Sequence, residues 1–136
     1  MPEKHSFFKG PRPETDKFPN AVRKGDLVFT SGFVAIDDDF GVIAPGDIVA
    51  QADVVFSRLA GVLEHAGSSM TDVLKLSAYL VADADYPLYN EARHRWFPHD
   101  PPASSTVVVA SLVKPGLVVE IEAIAATRSA ASDDGA

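Results

Sequence analysis

The side chains best able to do chemistry stand near the C-terminus, in the run Val118-Val119-Glu120-Ile121-Glu122-Ala123. The run alternates. Leu117, Val119, Ile121, Ala123 and Ala125 fall on one face of a strand, and Val118, Glu120, Glu122 and Ile124 on the other. Two carboxylates two residues apart on one strand face lie roughly 7 Å from each other. Burying both without water or a partner is costly. Three arrangements relieve that cost: the face is solvated, the acids are paired, or one acid is held for proton transfer. Further candidates are Ser31-Gly32, Asn90 and the loop Pro102-Ala103-Ser104-Ser105-Thr106.

Other chemistries find less support. The chain has no cysteine, which excludes a thiol nucleophile, a disulfide framework and a Cys zinc site. His5, His65, His94 and His99 lack metal-ligand spacing with a carboxylate on one helix face, so no metal site is expected. The scattered glycines form no phosphate-cradling loop. Ser31 lacks the context of a nucleophile elbow. No cofactor is implied.

The elements that must position these residues can be read from periodicity. Residues 18 to 23 suggest a short first strand, and Lys24-Gly25-Asp26 a turn. Residues 27 to 36 read as a strand interrupted at Ser31-Gly32, where a glycine marks a bulge or a close approach to the backbone. Val42-Ile43 is a short extended piece. Asp47 is a good N-cap for a helix with Ala52, Val55, Phe56, Leu59, Val62, Leu63 and Ala66 on its apolar stripe and Gly67 at its end. Residues 73 to 81 form a strand with Leu74, Leu76, Ala78 and Leu80 on one face and Lys75, Ser77 and Tyr79 on the other. Asp83 or Asp85 caps a second helix, with Pro87 in its first turn and Leu88, Ala92 and Trp96 buried. Residues 102 to 110 are a nearly unbroken apolar run, as in a strand covered on both faces. A tight connection at Lys114-Pro115-Gly116 joins it to the glutamate strand. Residues 1 to 16 are an irregular arm whose Phe7 and Phe8 should dock if ordered. Residues 17 to 128 are one domain, and 129 to 136 a disordered tail. This order predicts an α+β fold with two helices on one face of a single sheet. The opposite face, bearing Glu120 and Glu122, must be wet or covered by another chain.

The net charge of −7 disfavours a polyanionic partner, and Arg93-His94-Arg95 is too short a basic patch for nucleic acid. No apolar run approaches the ~20 residues needed to cross a bilayer. The N-terminus lacks a signal-peptide core. A soluble cytoplasmic protein without a membrane partner is expected.

Thr30-Ser31-Gly32, Asn90, Pro102-Ala103-x-Ser105 and Val119-Glu120-Ile121-Glu122-Ala123-Ile124-Ala125 together resemble the RidA/YjgF family of reactive-intermediate deaminases, over residues 18 to 128. The resemblance implies a chorismate-mutase-like fold assembled as a homotrimer with ligand clefts between subunits. It also implies hydrolysis of enamines and imines to ketoacids and ammonia. In that pattern Glu120 is the acid/base, and Phe18, Ser31, Gly32, Asn90, Ser104, Ser105 and Thr106 bind substrate. Phe18 stands where the deaminases usually have tyrosine, and Thr106 where some have cysteine. Residues 18 to 26 also resemble the corresponding segment of the aminomuconate-deaminase branch.

One departure matters most. Ser104 occupies the place of the arginine that clamps the substrate carboxylate. A hydroxyl cannot replace a bidentate cation. Ordinary amino-acid imines should be poor substrates unless Arg23, Arg93, Arg95 or Lys114 enters the cleft. The alternative is a non-catalytic trimer that binds a small molecule. Ribonuclease activity, a label attached to the family, conflicts with the acidic charge.

Overall fold

The computed structural model describes residues 3 to 8 and 17 to 128. Six strands and two helices follow in the order β1 (His5–Phe7), β2 (Ala21–Lys24), β3 (Leu27–Thr30), α1 (Ile48–His65), β4 (Val73–Leu80), α2 (Tyr86–Trp96), β5 (Ala103–Val108) and β6 (Val119–Ala126). One mixed sheet has the order β1-β2-β3-β6-β4-β5. Both helices lie on one face, as the apolar stripes require.

The glutamate strand obeys its alternation. Val119, Ile121, Ala123 and Ala125 of β6 are buried, while Glu120, Glu122 and Ile124 are partly exposed on the open face. Helix α1 also follows its sequence. Asp47 Oδ1 accepts from the Ala50 amide at 3.0 Å, and Ala52, Val55, Phe56, Leu59 and Leu63 are fully buried. Gly67 ends the helix at φ 86°, a left-handed conformation that glycine adopts without a Cβ penalty.

Several expectations are corrected. The two C-terminal strands do not pair with each other, because β4 lies between them, parallel to β5 and antiparallel to β6. Parallel neighbours need a crossover, and α2 supplies it. The chain must then return past β4 to reach β6, so Lys114-Pro115-Gly116 belongs to a longer connection. Nor is β5 covered on both faces. It is the sheet edge, with Val107 49% and Val108 51% exposed. Leu74 leaves the buried face because a bulge between Val73 and Lys75 shifts the register. In α2 the buried positions are Tyr89 and Ala92, while Leu88 is exposed. Phe56 of α1 selects this phase by packing on the rings of Tyr89, Trp96 and Phe97. Asp85 does take the N-cap position of α2, but its side chain makes no capping hydrogen bond, since the residue also ends the short 3-10 turn Asp83–Asp85.

The arm is more regular than expected over its described part. Its residues His5–Phe7 extend the sheet beyond β2. Phe7 meets His65 edge-on at 5.4 Å between centroids, and Arg23 lies over the Phe7 ring. Phe8 borders a cavity beside α1, while arm residues 1, 2 and 9 to 16 and the expected tail lie outside the described residues.

Gln51 is a buried polar side chain that the sequence did not single out. Its amide NH2 donates to the Gly116 carbonyl and shares its second hydrogen between the carbonyls of Ile43 and Ala44, and its oxygen accepts from the Val118 amide at 2.9 Å. It ties α1 to the connection that delivers β6.

Candidate functional site

Two groups of candidate residues form, on opposite faces of the sheet. The first surrounds Glu120. After β3 the ladder with β6 is interrupted, and Thr30 Oγ1 accepts from the Ala123 amide at 2.9 Å in place of a backbone partner. Pairing resumes when Phe33 and Ile121 exchange amide hydrogen bonds of 2.9 and 3.1 Å. That brings the Gly32 backbone against the Glu120 side chain. A Cβ at Gly32 would stand 3.0 Å from Glu120 Cδ and closer still to a carboxylate oxygen. The close approach expected at this glycine is therefore the glutamate itself. Ser31 fixes the rim. Its hydroxyl donates to the Pro19 carbonyl at 2.7 Å and its amide to the Asn20 carbonyl at 2.9 Å. Phe18, 65% exposed, sits at the end of this pinned segment.

The two glutamates have different surroundings. Glu122 accepts a 2.5 Å hydrogen bond from Tyr79 Oη. That bond, reinforced by burial and by the charges of both glutamates, raises the Tyr79 pKa, so the phenol keeps its proton. The partner of Glu122 within the chain is thus a phenol. Glu120 makes no hydrogen bond or ion pair among the described residues. Burial, and then the neighbouring Glu122 charge, push its pKa above the ordinary 4.5.

This shift has a sign that can be tested. Folded Glu120 holds its proton to higher pH than the unfolded chain, whose carboxyl titrates near 4.5. The native state therefore binds more protons above that pH, and stability falls as pH rises through the window between the unfolded and folded values. Glu120→Gln removes this titration. The melting temperature of the variant relative to the parent should rise as the pH is raised above 4.5. A difference that does not change with pH overturns the assignment.

The second group lies on the helix side of the edge strand. Ser104 pairs in register with buried Leu76, whereas Glu120 and Val107 both lie opposite Tyr79. Ser104 and Glu120 therefore occupy opposite faces, two strands apart. From α2, Arg93 Nη1 donates to Ser104 Oγ at 2.9 Å, and its Nη2 donates to Asn90 Oδ1. Asn90, Arg93, Phe97, Pro102 and Ser104 border a cavity of about 230 Å³. Ser105 faces the open side and accepts from Lys75 Nζ at 2.8 Å. By strand alternation Thr106 shares the face of Ser104. Three consecutive strand residues cannot all point into one cleft.

The other cations are occupied elsewhere. Arg23 donates to the Ala66 carbonyl, Arg95 pairs with Asp53 at 3.4 Å, and Lys114 donates to the Phe40 carbonyl. Tyr79 and Lys75 were missed as site neighbours. Their placement beside Ser77 on one strand face was readable, but their partners on β5 and β6 were not. Among the described residues no group of three His, Cys, Asp or Glu could hold a metal ion, and no helix is long and apolar enough to cross a membrane.

Comparison with known proteins gives a consistent result. The family described as endoribonuclease L-PSP matches residues 10–127. A RutC family protein of Pyrococcus abyssi is 35% identical over 86% of this chain and 91% of its own length. The 3-aminoacrylate deaminase RutC of Acinetobacter baylyi is 32% identical over 92% of this chain and 98% of its own. A YjgF-family crystal structure from Mycobacterium tuberculosis superposes with a TM-score of 0.78 at 28% identity, covering 92% of this chain and all of that one.

Proposed function

This chain belongs to the RidA/YjgF family, and from that premise we propose that it hydrolyses a small enamine or imine, with Glu120 as acid/base in a cleft between subunits. The observation that carries the reading is the Glu120 carboxyl itself. It is partly buried, unpartnered among the described residues, raised in pKa and backed by the bare Gly32 backbone. A carboxyl with those properties exchanges protons closer to neutral pH than an exposed one.

The reaction is balanced. Protonated Glu120 gives its proton to the enamine carbon or the imine nitrogen. The resulting carboxylate takes a proton from water as the oxygen bonds to the electrophilic carbon. Reprotonated Glu120 then gives its proton to the carbinolamine nitrogen, the C–N bond breaks to release ammonia, and the Glu120 carboxylate takes the hydroxyl proton as the carbonyl forms, which returns the acid to its starting state. One water is consumed per ammonia.

The cation for an anionic substrate is Arg93. Its hydrogen bond to Ser104 brings a guanidinium to the position where the resemblance expects an arginine side chain from the strand. No carboxylate pairs with it among the described residues. Within one chain it cannot meet Glu120, since the two lie on opposite faces of the sheet. A trimer in which the edge of one chain approaches the Glu120 face of the next would join them. Leu27, Phe29 and Val107, all exposed in the single chain, supply apolar surface for that contact. A ribonuclease reading has less support, because the net charge is −7 and Arg95 is paired with Asp53.

Ammonia release from 2-iminopropanoate and from 3-aminoacrylate tests the proposal. Turnover above the spontaneous rate is expected. Arg93→Met should raise KM for these anionic substrates at least about tenfold, the scale of one lost charged hydrogen bond. Binding without any ammonia release would leave a small-molecule-binding protein. An unchanged KM in Arg93→Met would remove that residue from the site.

A further inference from the structure

A larger cavity, about 520 Å³, opens between α1 and the loop that follows β3. Phe18, Phe33 and Phe40 form its aromatic walls, Arg58 and Gly61 line it from α1, and Gly32 borders it. Gly32 is the same residue that backs Glu120. Gly32 thus separates the cavity from the Glu120 side chain, and the cavity's volume falls in the range of small-molecule sites.

Two features on this cavity are unfavourable for the fold taken alone. Gly61 lies inside α1, where glycine is destabilising relative to alanine. A Cβ built there meets nothing within 4 Å, so packing does not require the glycine. What its absence leaves is open space in the cavity wall. Phe40 is the second. It has φ 63°, a left-handed conformation unusual for a bulky residue, and it is 72% exposed. The turn is held by Asp37, whose Oδ1 accepts from the amides of Asp39 and Gly41 at 2.9 and 2.8 Å. A strained turn that presents an aromatic ring to solvent gains little burial in return. Strain of this kind concentrates at ligand-binding sites.

Arg58 supplies the polar end. Its Nη1 donates to the Val34 carbonyl at 3.2 Å, which fixes the guanidinium. No carboxylate pairs with it among the described residues. The lining also includes Asp37, whose carboxylate is held by the Asp39 and Gly41 amides of its own turn; a cavity walled by aromatic rings, with one anchored guanidinium, suits a flat aromatic group that carries an anionic oxygen.

We propose that this cavity is a second ligand subsite that binds an aromatic carboxylate, stacking its ring among Phe18, Phe33 and Phe40 and pairing its oxygens with Arg58.

Binding to the full chain, measured by calorimetry, tests this with 3-phenylpropionate and indole-3-acetate against propionate. The aromatic acids should bind at least tenfold more tightly. Gly61→Leu fills the cavity from the helix and should weaken the aromatic acids at least tenfold. It should also raise the melting temperature, which separates blocking from unfolding. Arg58→Gln should weaken 3-phenylpropionate but leave 3-phenylpropionamide nearly unchanged. Aromatic acids that bind no better than propionate, or that are indifferent to Gly61→Leu, overturn the subsite. The two proposals fail separately. Gly61-dependent aromatic binding without ammonia release from any imine defeats only the catalytic reading. Turnover of small imines with no aromatic binding defeats only the subsite.

Discussion

Glu120→Gln is expected to lower ammonia release by about 10²–10⁴-fold, the usual contribution of a positioned acid/base. Glutamine keeps the size and the contact with Gly32 but cannot exchange the proton. The loss should fall on kcat, with KM changed far less, because in the proposed mechanism Glu120 acts on the reacting atoms while Arg93 holds the anion. Folding and assembly should be retained, since no described residue depends on Glu120 for a hydrogen bond or ion pair. The control is Glu122→Gln. Tyr79 can still donate to a glutamine oxygen, so the 2.5 Å bond to a carboxylate becomes a weaker neutral one. The expected loss is about 1 kcal/mol of stability, the difference between charged and neutral hydrogen bonds. Turnover, melting temperature and light scattering on both variants decide the matter. An active Glu120→Gln beside a folded, trimeric and inactive Glu122→Gln would reverse the two roles.

Gln51→Leu should destabilise the fold by about 2–4 kcal/mol, a large share of the ~5–15 kcal/mol that holds a domain together. The apolar volume is nearly kept, so the cost is polar. The Val118 amide loses its acceptor and the Ile43 carbonyl its donor, both in the interior. The other two carbonyls suffer less. Ala44 still accepts from the Asp47 amide, and Gly116 from the Gly46 amide at 2.9 Å. Each stranded buried group costs about 1–3 kcal/mol. Urea unfolding measures the loss, and a change below about 1 kcal/mol would show that water replaces the amide. The effect bears on function because Val118 is where the long return from β5 enters β6, the strand that carries Glu120.

Local order was legible from residues alone. Asp47, the stripe from Ala52 to Ala66 and Gly67 specify α1, because a helix is closed by bonds four residues apart and its caps are its own neighbours. The alternation of residues 117 to 125 placed both glutamates on one face, because a strand repeats every two residues whatever it pairs with. The helix-facing side of the sheet followed from the same periodicities. Gly32 announced a close approach without saying of what.

What only the tertiary structure decided concerns pairs distant in sequence. The apolar run of residues 102 to 110 suggests a doubly covered strand, but a run does not encode its neighbours. The crossover through α2 makes it an edge and sends β6 to the far side of β4. The pairing of β4 with β6 brings Tyr79 to Glu122 and leaves Glu120 unpartnered among the described residues, a distinction that two identical side chains on one strand face cannot carry. Arg93 was one of four possible cations until α2 docked beside β5 and set it on Ser104. Strand order and helix docking are fixed by closure of the whole chain around one core, so these assignments have no local signal to read.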